Sequence, residues 1–90
     1  MNNTEIYTLA PHYRFQWEEA QQSYVMLFPE GMIKLNGGAG EVIRRVDGKR
    51  SVDEIVHELK LAFPDVDDIE SDVVAMIQLA VEKSWLVLAN

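Results

Sequence analysis

The sequence predicts an α+β domain of winged-helix-like architecture, a three-stranded antiparallel sheet followed by a three-helix bundle. Three observations carry that expectation. Apolar and polar residues alternate with period two near residues 12–18. Further on, apolar residues recur at helical spacing, with Ser51-Val52-Asp53-Glu54 written as a capping box ahead of them. Proline and glycine then punctuate the chain at Pro29, Gly31, Gly48 and Pro64. Ninety residues hold one modest core, so residues 1–90 are expected to form a single domain, with the sheet over about 12–35 and helices over about 37–46, 51–63 and 66–83.

In order, the alternation from His12 to Glu18 places Tyr13, Phe15 and Trp17 on one face and Arg14 and Gln16 on the other. Ser23–Phe28 is almost wholly apolar, which suits a central strand covered on both faces. Pro29-Glu30-Gly31 turns the chain into a short third strand, Met32-Ile33-Lys34-Leu35. Asn36 can cap a first helix carrying Val42, Ile43 and Val46, although Gly37, Gly38 and Gly40 each cost about 1 kcal/mol there relative to alanine. In the second helix, Val52, Ile55, Val56, Leu59 and Phe63 form the apolar stripe, and Pro64 stops it. Acids from Asp65 to Glu70 suit the positive end of a third helix with core positions Ile69, Val73, Met76, Ile77 and Ala80. Trp85–Leu88 closes the chain as an apolar tail or a short strand.

The net charge of −7 disfavours nucleic acid as partner, because phosphate binding draws on clustered Lys and Arg. The charge is uneven: residues 53–72 hold eight acids against Lys60 alone, while Arg44, Arg45, Lys49 and Arg50 cluster together. Such asymmetry suits a protein partner, or simply solvated faces. No apolar run approaches the roughly 20 residues of a membrane helix, and the N-terminus lacks a basic start and an apolar signal core. No membrane partner is expected, and the cytoplasm is the expected compartment. The chain has no cysteine, hence no disulfide, thiol nucleophile or thiolate metal site.

Little in the chain points to catalysis. His12 and His57 lie in different predicted elements and make a poor metal pair. Asp65–Asp72 lacks the glycine and the spaced glutamate of a calcium loop. Gly37-Gly38-Ala39-Gly40 continues into Glu41-Val42, not into the Lys-Ser or Lys-Thr of a phosphate loop. No cofactor and no enzyme activity are expected.

The order Leu9-Ala10-Pro11-His12-Tyr13-Arg14-Phe15-Gln16-Trp17, Tyr24-Val25-Met26-Leu27-Phe28-Pro29-Glu30-Gly31, Leu35-Asn36, then Asp47-Gly48-Lys49-Arg50-Ser51-Val52 resembles the PqqD family of pyrroloquinoline quinone (PQQ) biosynthesis over about residues 7–88. The resemblance implies a peptide chaperone, the recognition element of a pathway that modifies a ribosomally made peptide (a RiPP). It implies binding of the precursor peptide PqqA and its presentation to the radical-SAM enzyme PqqE, which cross-links a glutamate to a tyrosine. It further implies that the peptide adds as a strand to the third strand, Met32, Ile33, Lys34 and Leu35, in a groove shared with the third helix.

Backbone pairing alone is too weak for that task. Four or five bonds at about 0.5–1.5 kcal/mol net each must reach about 8 kcal/mol for micromolar binding and also offset the peptide's lost freedom. An apolar anchor is therefore needed. Val73, Met76 and Leu79 are the groove candidates on the third helix, with Lys83 at its end; each can equally serve the core. Arg44, Arg45, Lys49 and Arg50 are the candidate surface for the enzyme. A monomer is expected, with pairing of two copies and binding of the quinone product left open. Two rivals share parts of the pattern. A winged-helix DNA binder would need a basic recognition helix, where this chain's second and third helices are acidic. An acyl-carrier-like protein would need an Asp-Ser-Leu attachment site, which neither Ser51 nor Ser71 provides.

Overall fold

The computed structural model describes residues 2–89. These form β1 (Tyr7–Leu9), β2 (Arg14–Glu18), β3 (Ser23–Phe28), β4 (Gly31–Lys34), α1 (Gly37–Ile43), α2 (Val52–Ala62), α3 (Ile69–Glu82) and β5 (Leu86–Leu88). The three-stranded antiparallel sheet runs β2-β3-β4, as the sequence predicts, and three helices follow it.

Phe15, Met26 and Ile33 stand side by side across this ladder and face the core. On the opposite face Gln16, Val25 and Lys34 are the aligned trio. Val25 and Met26 are both fully buried, so the central strand is covered on both faces. The β3–β4 turn needs only Pro29 and Glu30, because Phe28 already pairs with Gly31. β2 starts two residues later than the alternation suggests. Tyr13 N–H donates to Ala10 C=O at 3.2 Å, and His12 sits in that turn with φ 73° after Pro11, a type II arrangement. Tyr13 and Phe15 pack against the core as expected, whereas Trp17 is exposed, set edge-on to the Tyr24 ring, with its Nε1–H donating to Glu19 Oε2 at 2.8 Å.

A second sheet, β1 with β5, was not legible in the alternation. Each strand has three residues, too few to show a period, and the partners come from opposite ends of the chain. The residues before β1 complete the start of α2. Val52 N–H donates to Glu5 C=O and Asp53 N–H to Asn3 C=O; Ser51 takes Glu54 N–H on its hydroxyl and Ile55 N–H on its carbonyl. Ile55 N–H makes the first bond within the helix, and the amides of Val52, Asp53 and Glu54 that a helix start leaves open are satisfied from outside it. The capping box is complete, with Ser51 N–H donating to Glu54 Oε1 at 2.8 Å.

The helices are shorter than their apolar patterns. α1 is capped by Asn36, whose Oδ1 accepts from Ala39 N–H, but it ends at Ile43. There the bonds tighten to Arg45 N–H to Val42 C=O and Val46 N–H to Ile43 C=O, a three-residue spacing that turns the chain toward Gly48 (φ 78°). α3 starts at Ile69 because Asp68 is left-handed, so of the predicted first-turn acids only Glu70 lies within the helix, joined by Asp72. It ends in a Schellman motif, Trp85 N–H to Ala80 C=O and Ser84 N–H to Val81 C=O, with Ser84 left-handed at φ 63°. That turn drives Trp85 and Leu86 into the core and launches β5. Along the second helix Val52, Ile55, Val56 and Leu59 are buried, but Phe63 has left the helix and is exposed.

Gly40 explains part of the glycine content of α1. A Cβ there would lie 2.5 Å from Tyr24 Cδ2 and 3.1 Å from its Cβ and Cγ, atoms close to the β3 backbone that cannot swing away. Helix propensity favours alanine by about 1 kcal/mol. Overpacking of this kind costs about 1–3 kcal/mol, and the clash is expected to win. Urea denaturation of Gly40→Ala should show a lower midpoint than the parent, whereas a higher one would mean that α1 does not rest on Tyr24.

Candidate functional site

β4 pairs with β3 on one side, and among the described residues no strand covers its other edge. The phase of the ladder follows from one bond: Leu35 N–H donates to Tyr24 C=O at 2.9 Å. In an antiparallel pair the backbone groups of alternate residues turn the same way, so Gly31, Ile33 and Leu35 face β3. Met32 and Lys34 turn the other way. Two residues with one N–H and one C=O each present four backbone groups at the open edge. Side chains follow the opposite division. Ile33 packs against the core and Leu35 is buried within it, while Met32 is 44% exposed and Lys34 is exposed. Of the four strand residues singled out from the sequence, two offer backbone and two fix the strand in place.

α3 supplies the neighbouring wall. Met76, Leu79 and Lys83 follow at helical spacing; Met76 is half-buried, Leu79 is 42% exposed, and Lys83 caps the helix end in solvent. Val73 continues the same row but is only 1% exposed, so it serves the core. Where α3 crosses the start of α1, just past β4, a cleft of about 410 Å³ opens between Asn36, Gly38 and Ala39 on one side and Asp72, Ala75, Met76 and Leu79 on the other. A strand added to β4 would turn its core-side residues toward this wall.

Of the basic cluster, most is spent internally. Arg45 is mostly buried and reaches Glu41 at 2.8 Å and Glu58 at 3.6 Å, tying α1 to α2. Arg50 meets Glu58 at 2.7 Å and Asp47 at 3.6 Å, and Arg44 meets Glu41 at 3.2 Å. Among the described residues, Lys49 makes no ion pair. Its backbone N–H donates to Asp47 Oδ1.

A second cleft, of about 370 Å³, was not anticipated. It lies between the start of α1, the end of α2 and the start of α3, with Phe63 and Val66 at its mouth. The available signal was an apolar pair bracketing the helix-stopping Pro64 inside an acidic loop. No group of three or more His, Asp or Glu among the described residues could hold a metal ion, and no described helix is long and apolar enough to cross a membrane.

Fold and site together define a small winged-helix-like α+β domain that offers a free strand edge beside an apolar cleft. The sequence model described as Coenzyme PQQ synthesis protein D (PqqD) matches residues 23–86. A "PqqA binding protein" of Stutzerimonas stutzeri is 45% identical over 85 residues, covering 94% of this chain and 92% of its own. One from Azotobacter vinelandii is 46% identical over 84 residues, covering 93% and 91%. The chain belongs to the PqqD family. Among solved structures, the PqqD truncation of Methylobacterium extorquens PqqCD, described as a functional and stand-alone RiPP recognition element, superposes with a TM-score of 0.79 at 25% identity, covering 97% of this chain and 94% of that one.

The ionic network makes stability sensitive to acid. The hydrogen bond from Arg45, aided by Arg44, holds the Glu41 carboxyl below its usual range against the opposing effect of burial. The backbone N–H groups of Arg50 and then Lys49 do the same for Asp47. For carboxylates depressed in the folded state, stabilisation is fully present above the unfolded pKa of about 4 and is lost as pH falls through the folded value. Thermal unfolding should therefore shift down as pH drops below about 4, and less steeply in Glu41→Gln. Identical slopes for the two would show that Glu41 contributes nothing to the acid transition.

Proposed function

We propose that this chain is a non-catalytic recognition element of PQQ biosynthesis that binds the precursor peptide PqqA as an added strand on β4 and presents it to the radical-SAM enzyme PqqE for glutamate–tyrosine cross-linking. The observation that carries the proposal is the outward backbone of Met32 and Lys34, four unpaired groups on a short edge. An extended peptide satisfies them with little demand on its own sequence. The names of the S. stutzeri and A. vinelandii relatives, and the recognition-element description of the M. extorquens domain, support PqqA as the peptide.

Backbone pairing supplies register, and the cleft beside Met76 and Leu79 supplies the apolar burial that affinity requires. Met76 suits such a wall, since its unbranched thioether adapts to varied side chains. Lys34 has a double use: its side chain guards a naked edge against self-association, and its backbone receives the peptide. Presentation leaves the far side of the domain for the enzyme. There Lys49 and the outer side of Arg44 are the basic groups least occupied by internal pairs, so they are the contacts we assign to PqqE. Acid-lined α2 and α3 make a duplex DNA partner a poor electrostatic match.

Two proline substitutions separate edge pairing from general damage. Lys34→Pro removes an outward N–H and leaves the β3–β4 ladder bonds in place, so PqqA affinity should fall at least about fivefold with a native amide spectrum. Ile33→Pro removes an inward N–H and should unfold or strongly destabilise the domain. If Lys34→Pro keeps both fold and full affinity, measured by calorimetric titration, the peptide does not pair with β4.

A further inference from the structure

The apolar cleft between α1, α2 and α3 has no part in strand pairing, yet its shape and charge fit a peptide. Leu59, Phe63, Val66, Ile69 and Val73 line it, and at its mouth Phe63 is 37% and Val66 52% exposed, large apolar surface left in water. It adjoins the Met76–Leu79 cleft, and the two share Gly38, Val42 and Asp72. Gly38 forms the saddle between them. Without a side chain there, an extended backbone leaving β4 at Lys34 can cross from one cleft into the next. Gly37 is barer still: beyond its chain neighbours and its own helix backbone nothing lies within 4 Å of where its Cβ would stand, whereas at Gly38 the Asn36 Oδ1 lies at 3.6 Å.

The rim has a definite sign. Glu41 is already paired with Arg45 and Arg44, but Asp72 makes no ion pair among the described residues. Asp67, Asp68 and Glu70 follow along the adjoining surface, against Lys60. An apolar hole with an acidic rim selects a large apolar side chain with a lysine or arginine beside it in sequence.

Resting on the strand-addition reading above, we infer that this cleft is a second anchor for the precursor peptide: it takes one large apolar side chain from the segment that flanks the strand-paired residues, and Asp72 faces an adjacent basic residue. The anchor would make recognition depend on a peptide position outside the paired strand. It also supplies apolar burial that the four edge groups cannot.

The test is a titration of the isotope-labelled chain with PqqA peptide, read by amide shifts and by affinity. Shifts are expected at Gly37, Phe63 and Val66 as well as at Met32 and Lys34. Gly37→Leu fills the cleft from a position with free space and should weaken binding about tenfold or more while the Met32 and Lys34 shifts persist at saturation. Val66→Ala, at an exposed position outside the core, should weaken it about threefold or more, and Asp72→Asn should reduce the salt dependence of binding. Shifts at Met32 and Lys34 with none at Gly37, Phe63 and Val66, and unchanged affinity in Gly37→Leu, would overturn the anchor and leave strand addition standing. Absence of shifts at β4 would overturn strand addition itself. Shifts at Gly37 and Val66 that grow with protein concentration in the absence of peptide would assign the cleft to a second copy of the chain, and the anchor would again fall.

Discussion

The approach of α1 to the central strand at Gly40 is the contact on which the arrangement of the domain depends. Tyr24 occupies the space that any Cβ at this position would need, so α1 lies as close to β3 as a helix can. That height sets where the start of α1 meets α3, and the two clefts open on either side of that crossing. It also leaves β4 free. The helix that follows the strand packs inward onto β3 and does not fold back over the outer edge.

A free edge is a hazard as well as a site. Four residues, a lysine and a proline-containing turn keep β4 short, which limits its capacity to template aggregation, while two of its residues turn their backbone outward. The opposite end of the fold is closed. β1 pairs with β5, and residues before β1 supply carbonyls to the start of α2. β4, at one end of the β2-β3-β4 sheet, keeps an outer edge that no described strand pairs. The ionic network of Arg45, Arg50, Glu41 and Glu58 joins α1 to α2.

Much of this was legible in the sequence. The three-stranded sheet, its buried central strand and the capping box of α2 follow from period-two alternation, an apolar run and a four-residue signature. The β1–β5 sheet did not, because three-residue strands paired from opposite ends leave no periodic trace. Helix ends were overrun at Ile43, Ala62 and Ile69, where local geometry beats apolar spacing: a tightened last turn, a proline and a left-handed Asp68. For the candidate site, sequence could single out the third strand but could not say which of its residues turn backbone outward and which send side chains to the core, since that depends on ladder phase. Nor could it separate Val73 from Met76 and Leu79, which share a helical row and differ only in what lies above them. The internal pairing of the basic cluster was not legible either, because its partners Glu41, Asp47 and Glu58 come from two helices and the loop between them.

Hydrogen exchange at single amides tests the central claim most directly. In the free chain the Met32 and Lys34 amides should exchange fast while those of Ile33 and Leu35 are protected by β3. On addition of PqqA, Met32 and Lys34 should become protected and the inward pair should change little. Saturating peptide that leaves Met32 and Lys34 exchanging at their free rates would contradict strand addition on β4.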